Sequence, residues 1–122
     1  MSPPCSVLIV DDEEDLRAAL ADLLADEGFA VAQAENGAVA LGWLRSHSAP
    51  DLVLLDLLMP VMNGLRFRQE QLADPALAAI PTVAITAGRV TGEQAEAMQV
   101  MAILYKPLDL VQLLSMLQRC RS

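Results

Sequence analysis

Four short apolar runs each end in a polar side chain, and this pattern most narrows what the chain can fold into. Val7-Leu8-Ile9-Val10 leads into Asp11-Asp12, and Leu52-Val53-Leu54-Leu55 leads into Asp56. Thr82-Val83-Ala84-Ile85 ends at Thr86, and Ala102-Ile103-Leu104-Tyr105 ends at Lys106-Pro107. As parallel strands of one sheet, these runs would share a carboxyl edge, where open α/β folds place their ligand sites. That edge would carry three carboxylates, a hydroxyl and the only lysine of the chain. Such a collection reads as a metal site, a nucleophile and a phosphate clamp.

Helical patterns alternate with the apolar runs, which predicts βαβ units and a mostly parallel sheet. Leu16, Ala19, Leu20, Leu23 and Leu24 recur at helical spacing, and Gly28 stands where a glycine stops a helix. Phe29 to Ala34 reads as a strand. Asn36-Gly37 opens a second helix with Ala40, Leu41 and Leu44 inward, and Ser46 to Pro50 is a loop. Pro60 and Asn63-Gly64 mark a loop before a third helix over about 65–73. Thr91 and Gln94 form a capping-box pattern for a short polar fourth helix. A last helix begins near Asp109, with Leu110, Leu113, Leu114 and Leu117 on one face.

Five strands and five helices fill the 122 residues, so we expect a single domain over 1–122, structured over about 5–121, with no output domain. Apolar residues make up 54% and aromatics only 3%, so the core must be aliphatic. No apolar stretch approaches the roughly 20 residues of a membrane span, and the start lacks a signal-peptide pattern. The expectation is a cytoplasmic protein with no membrane contact. Cys5 and Cys120 lie near opposite ends without CxxC spacing and read as free thiols, an end-to-end disulfide being the alternative. A net charge of −8 argues against nucleic acid as direct partner and suits a cation cofactor and a partly basic protein partner.

Each site residue also has a plainer reading. Acids favour a helix N-terminus, which accounts for Glu13, Glu14 and Asp15 as helix-capping charges. It accounts less well for Asp11 and Asp12, which directly follow a strand. Carboxylates gathered with Asp56 would repel one another and raise each other's pKa, and a divalent cation with oxygen ligands, Mg²⁺, removes that conflict. Asp56 could merely cap a turn, or it could accept a phosphoryl group as an acyl phosphate. Thr86 has an ordinary strand reading. Lys106, between Tyr105 and Pro107, fits a point contact to a phosphoryl oxygen. His47 reads as a surface histidine and Trp43 as a packing residue. Met98 and Met101 could form an adaptable patch.

Together, Asp11-Asp12, Asp56 followed by Met59-Pro60 and Gly64, Thr86-Ala87 and Lys106-Pro107 resemble the CheY-like receiver domain of bacterial two-component response regulators. The resemblance implies a flavodoxin-like five-stranded parallel sheet of order 2-1-3-4-5 flanked by five helices. It implies a phosphorelay phosphoprotein that takes a phosphoryl group from a phosphohistidine onto Asp56. Mg²⁺ would be held by Asp12, Asp56 and the main-chain carbonyl of Leu58, with Asp11 acting through a water. Thr86 and Lys106 would serve the phosphoryl group, and Lys106-Pro107 would be cis. The implied partners are a sensor histidine kinase or histidine phosphotransfer protein and a downstream protein target. Such a domain is not an enzyme in the usual sense, though weak self-phosphorylation and self-dephosphorylation are expected. The competing reading is a pseudo-receiver acting only through protein contacts.

Three departures from the family pattern bear on switching rather than on the acceptor pocket. Ile103 stands where an aromatic residue is common. Gln99-Val100 replaces a usual Gly-Ala pair, and the stretch from Thr86 to Lys106 is slightly shorter than in many relatives.

Overall fold

The computed structural model describes residues 5–59 and 61–119. Its strands are β1 (Ser6–Val10), β2 (Ala30–Ala34), β3 (Leu52–Asp56), β4 (Thr82–Thr86) and β5 (Ala102–Tyr105). The helices are α1 (Glu14–Asp26), α2 (Gly37–Ser46), α3 (Gly64–Ala73), α4 (Gly92–Met98) and α5 (Leu110–Gln118). All strand pairings are parallel, in the expected order β2-β1-β3-β4-β5.

Strand alternation sorts the core into two layers. Leu8, Val10, Val53, Leu55 and Ala84 pack with Leu41 and Leu44 of α2, Phe67 of α3 and Met98 of α4. Val7, Ile9, Leu54, Val83 and Ile85 face the other way, onto Leu20 and Leu24 of α1 and Leu113 and Leu117 of α5. Every residue of β3 and β4 is buried, as strands covered on both faces must be.

Helix ends follow the capping chemistry of the sequence. Asn36, Asn63 and Asp109 accept from the backbone N–H groups of Val39, Arg66 and Gln112, and Thr91 with Gln94 closes a full capping box. At the end of α1, Gly28 (φ 94°) donates to the Ala25 carbonyl and Phe29 to that of Leu24. This is a Schellman motif, with Phe29 and Leu24 in one apolar cluster. Phe29 thus completes the helix stop, and β2 begins one residue later than expected. In α1 the buried stripe is Leu20, Ala21 and Leu24, and Ala19 is exposed, because the helix presents the face centred between 20 and 24 to the sheet.

Cys5 is buried and disulfide-bonded, which corrects the free-thiol expectation. Distance along the chain says nothing of distance in a fold whose first strand lies under its last helix. Cys120 lies outside the described residues.

Candidate functional site

Backbone ladders carry the key side chains to one edge. Asp11 N–H donates to the Ala34 carbonyl at 3.1 Å, extending the β1–β2 ladder by one residue. Leu57 N–H donates to Ile85, and Lys106 N–H to Thr86, both at 2.9 Å. Val10 pairs with Leu55, Asp56 with Ile85 and Ile85 with Leu104, so Asp11 and Asp56 end their strands at one level, with Thr86 one residue and Lys106 two residues further along the same edge. Gly64, the first residue of α3, holds this edge tight, since a Cβ there would come within 2.6 Å of the Asp56 carbonyl oxygen and the Leu57 Cα. The Lys106-Pro107 peptide is cis, as the resemblance implied.

Carboxylate oxygens of Asp11, Asp12 and Asp56 lie within 4.8 Å of one another. Asp11 and Asp56 are buried, and Asp12 is exposed and opens the cluster to solvent. Asp56 Oδ1 accepts from Leu58 N–H at 3.1 Å, and Asp11 Oδ1 from Glu13 N–H at 2.8 Å. Asp11 Oδ2 is buried and, among the described residues, has no well-aligned hydrogen bond, its one close partner being the Lys106 ammonium at 3.3 Å. Lys106 Nζ also lies 3.4 Å from Asp56 Oδ2 and 2.7 Å from Glu13 Oε1.

Burial pushes the Asp56 carboxyl up to about 6, and the Asp11 charge adds to the rise. The Leu58 N–H and the Lys106 ammonium oppose it without cancelling it. For Lys106, burial acts downward, but the Glu13 hydrogen bond and the Asp11 and Asp56 charges outweigh it, and the net shift is upward. The pocket thus holds a fixed cation beside carboxylates that are short of positive charge. A buried oxygen met by one ammonium and by no other donor among the described residues, within a triad of hard oxygen donors, makes a cluster that could hold a metal ion.

Thr86 is buried at the same edge, but its Oγ1 accepts from Gly88 N–H at 3.0 Å, within the loop after β4. That loop covers a cavity of about 390 Å³ lined by Leu57, Leu58, Met59, Thr86, Arg89 and Val90, among others. Leu58 meets Asp56 through its N–H, and its side chain is exposed. His47 is exposed and stacks on Trp43 with ring centroids 4.4 Å apart, remote in role from the acidic cluster. Met98 is buried and Met101 exposed, so the two do not form one surface patch.

Two residues acquire roles that the sequence reading did not assign. Glu13 lies at the N-cap position of α1, yet its side chain makes no capping bond and reaches Lys106 instead. Nothing local signals this, because the partners are 93 residues apart. Arg68 on α3 is buried and donates to the carbonyls of Met98 and Gln99 and to Thr82 Oγ1. A signal existed here: Gly64, Phe67, Arg68 and Gln71 recur at helical spacing and are the buried face of α3.

A profile of the response regulator receiver domain matches residues 7–118. Response regulator Rre1 of Synechocystis is 37% identical over 112 residues, which are 89% of this chain and 48% of that protein. The chain spans about half the length of that relative. A response regulator receiver protein from Pseudomonas putida has a crystal structure with a TM-score of 0.88 at 27% identity, over 98% of this chain and 99% of that one. Response regulator TrrA of Thermotoga maritima, solved in complex with Mg²⁺-BeF, has a TM-score of 0.82 at 27% identity, over 94% and 97% of the two chains. With its topology, its acidic edge and these matches in agreement, the chain belongs to the response regulator receiver domain family.

Proposed function

We propose that the chain accepts a phosphoryl group on Asp56 from a phosphohistidine, in a Mg²⁺-dependent step, and that the phosphorylated form binds a downstream protein differently. The observation that carries this reading is the buried Asp56 carboxylate, facing the Lys106 ammonium across 3.4 Å and flanked by the buried Asp11 carboxylate, which shares that one ammonium at 3.3 Å. TrrA, whose structure contains Mg²⁺-BeF, shares the fold and adds weight.

In the proposed step an Asp56 carboxylate oxygen attacks phosphorus, forming a P–O bond as the P–N bond of the phosphohistidine breaks. The imidazole leaves with the bonding pair and recovers a proton from solvent. Asp12, Asp56 and the Leu58 carbonyl would hold Mg²⁺, with Asp11 acting through water. The ion would neutralise charge on the transferring group. Lys106 is already aimed at the Asp56 oxygen that would carry the phosphoryl group. Thr86 would exchange its bond with Gly88 for one to a phosphoryl oxygen, donating its hydroxyl hydrogen. The raised pKa of Asp56 follows from the same burial that excludes water from the acyl phosphate. The reading implies a cytoplasmic signalling protein whose donor is a sensor histidine kinase or a histidine phosphotransfer protein.

Incubation with Mg²⁺ and acetyl phosphate tests it. Mass spectrometry should find one added phosphoryl group, labile at alkaline pH, and none in Asp56→Asn. Labelling of that variant to the wild-type level would overturn the assignment. Absence of labelling in the wild type, with partner binding retained, would favour the pseudo-receiver.

A further inference from the structure

The ion pair between Glu13 and Lys106 has no part in the phosphoacceptor scheme, and yet it is the shortest ionic contact the lysine makes. Lys106 Nζ is 2.7 Å from Glu13 Oε1, against 3.3 Å and 3.4 Å from the buried oxygens of Asp11 and Asp56. The Glu13 side chain is available for this because Asp11 Oδ1 already takes the Glu13 N–H, and because Glu13 makes no cap bond to α1. The Glu13 side chain is 58% exposed, while the Lys106 side chain is 13% exposed. The ammonium is therefore held at the mouth of the pocket by a group that solvent can readily accept back.

We propose that Glu13 is a positioning residue that weakens retention of the phosphoryl group, by competing for the Lys106 ammonium. This rests on the reading of Asp56 as phosphoacceptor. When a phosphoryl dianion occupies Asp56, Lys106 has two options. It can turn inward and give up the 2.7 Å bond, or it can hold both partners and draw two anions onto one ammonium. Both oppose the phosphorylated state. Because the Glu13 side of the pair is largely open to solvent, the effect is a factor of about two to five, the range solvent-screened pairs produce.

The test compares Glu13→Asp, Glu13→Gln and Glu14→Gln. Glu13→Asp keeps the charge but is one methylene too short for the contact. Glu14→Gln removes the same charge from the neighbouring exposed position on α1. Beryllofluoride, a phosphoryl mimic, is titrated at saturating Mg²⁺. Both Glu13 variants should bind it about two- to five-fold more tightly than wild type, and Glu14→Gln should match wild type. As the chain has a single lysine, its ammonium ¹⁵N signal belongs to Lys106 alone. In the unliganded protein it should shift in Glu13→Asp and stay in place in Glu14→Gln. Equal affinity and an unmoved lysine signal in the Glu13 variants would overturn the proposal, as would tighter binding in Glu14→Gln of the same size. Failure of wild type to bind beryllofluoride would overturn the Asp56 reading itself, and the lysine signal would still show whether the Glu13 contact exists.

Discussion

Arg68 Nε donates to the Met98 carbonyl at 2.7 Å, so a buried guanidinium on α3 fastens the C-terminal end of α4. Its Nη2 takes the Gln99 carbonyl at 2.9 Å, and its Nη1 the Thr82 hydroxyl at 3.0 Å. Among the described residues no carboxylate pairs with it. Its charge is satisfied by backbone dipoles at a helix C-terminus, where a cation is favourable. Burial lowers its pKa without depriving it of these acceptors. Arg68→Met keeps much of the side-chain volume but orphans two carbonyls. It should destabilise the protein by about 2–3 kcal/mol in denaturant unfolding, from the loss of charge-assisted hydrogen bonds.

Gln99 follows α4 with φ 51° and ψ 43°, the left-handed conformation usually given to glycine. The Arg68 bond to its carbonyl helps hold it there. Gln99→Gly should raise stability by about 0.5–1 kcal/mol, the gain being the relief of Cβ strain less the added freedom of the unfolded chain. Thermal unfolding checks this, and a lower melting temperature would refute it.

The Asp56 carboxyl, raised from 3.8 to about 6 by burial and by Asp11, makes metal-free stability depend on pH. Between those values the native state keeps a proton that the unfolded chain has released. This group therefore lowers stability as pH rises through that window, by on the order of 2–3 kcal/mol once above it. Asp56→Asn removes the dependence and should be the more stable protein at pH 7–8 without metal, by about 1–3 kcal/mol. Urea melts at pH 4.5 and 7.5 in a chelator would show the two proteins converging at the lower pH.

Asp12 is the exposed member of the carboxylate triad, and under the proposed function it is a direct Mg²⁺ ligand. Asp12→Ala should weaken Mg²⁺ binding by more than about tenfold, and Asp11→Ala by less, a factor of ten corresponding to 1.4 kcal/mol. Calorimetric titration reads both. Equal affinity in wild type and Asp12→Ala would remove Asp12 from the ligand set.

Ile103 is half-buried against the α2–α3–α4 layer, and Tyr105, two positions along, is exposed. With no ring at position 103, and a β-branched side chain stiff at χ1, activation should move the loop over the cavity beside Thr86 instead. With its C-terminal end held by Arg68, α4 should shift mainly at its Thr91 end. Amide NMR shifts on adding beryllofluoride should be large over 86–94 and small at Met98 and Ile103. Large changes at Ile103 with a static Thr86 loop would refute this.

The strands, the helix stops and the residues at the carboxyl edge were legible in the sequence because each depends on a local rule. Apolar runs of strand length, Asn and Thr caps and a stopping glycine act within a few residues of themselves. Parallel pairing then obliges Asp11, Asp56, Thr86 and Lys106 to meet. What each meets across the edge depends instead on register and side-chain reach, which no local pattern encodes. Asp12 and Glu13 are adjacent exposed acids in the sequence, yet one completes the carboxylate triad and the other takes the lysine. Arg68 could be placed on the inner face of α3 by its spacing. Its partners, the α4 carbonyls some 30 residues away, exist only once the two helices lie side by side on the sheet. The Asp56 pKa is likewise a tertiary property, because desolvation is set by the layers that close over a strand end and not by the residues next to it in the chain.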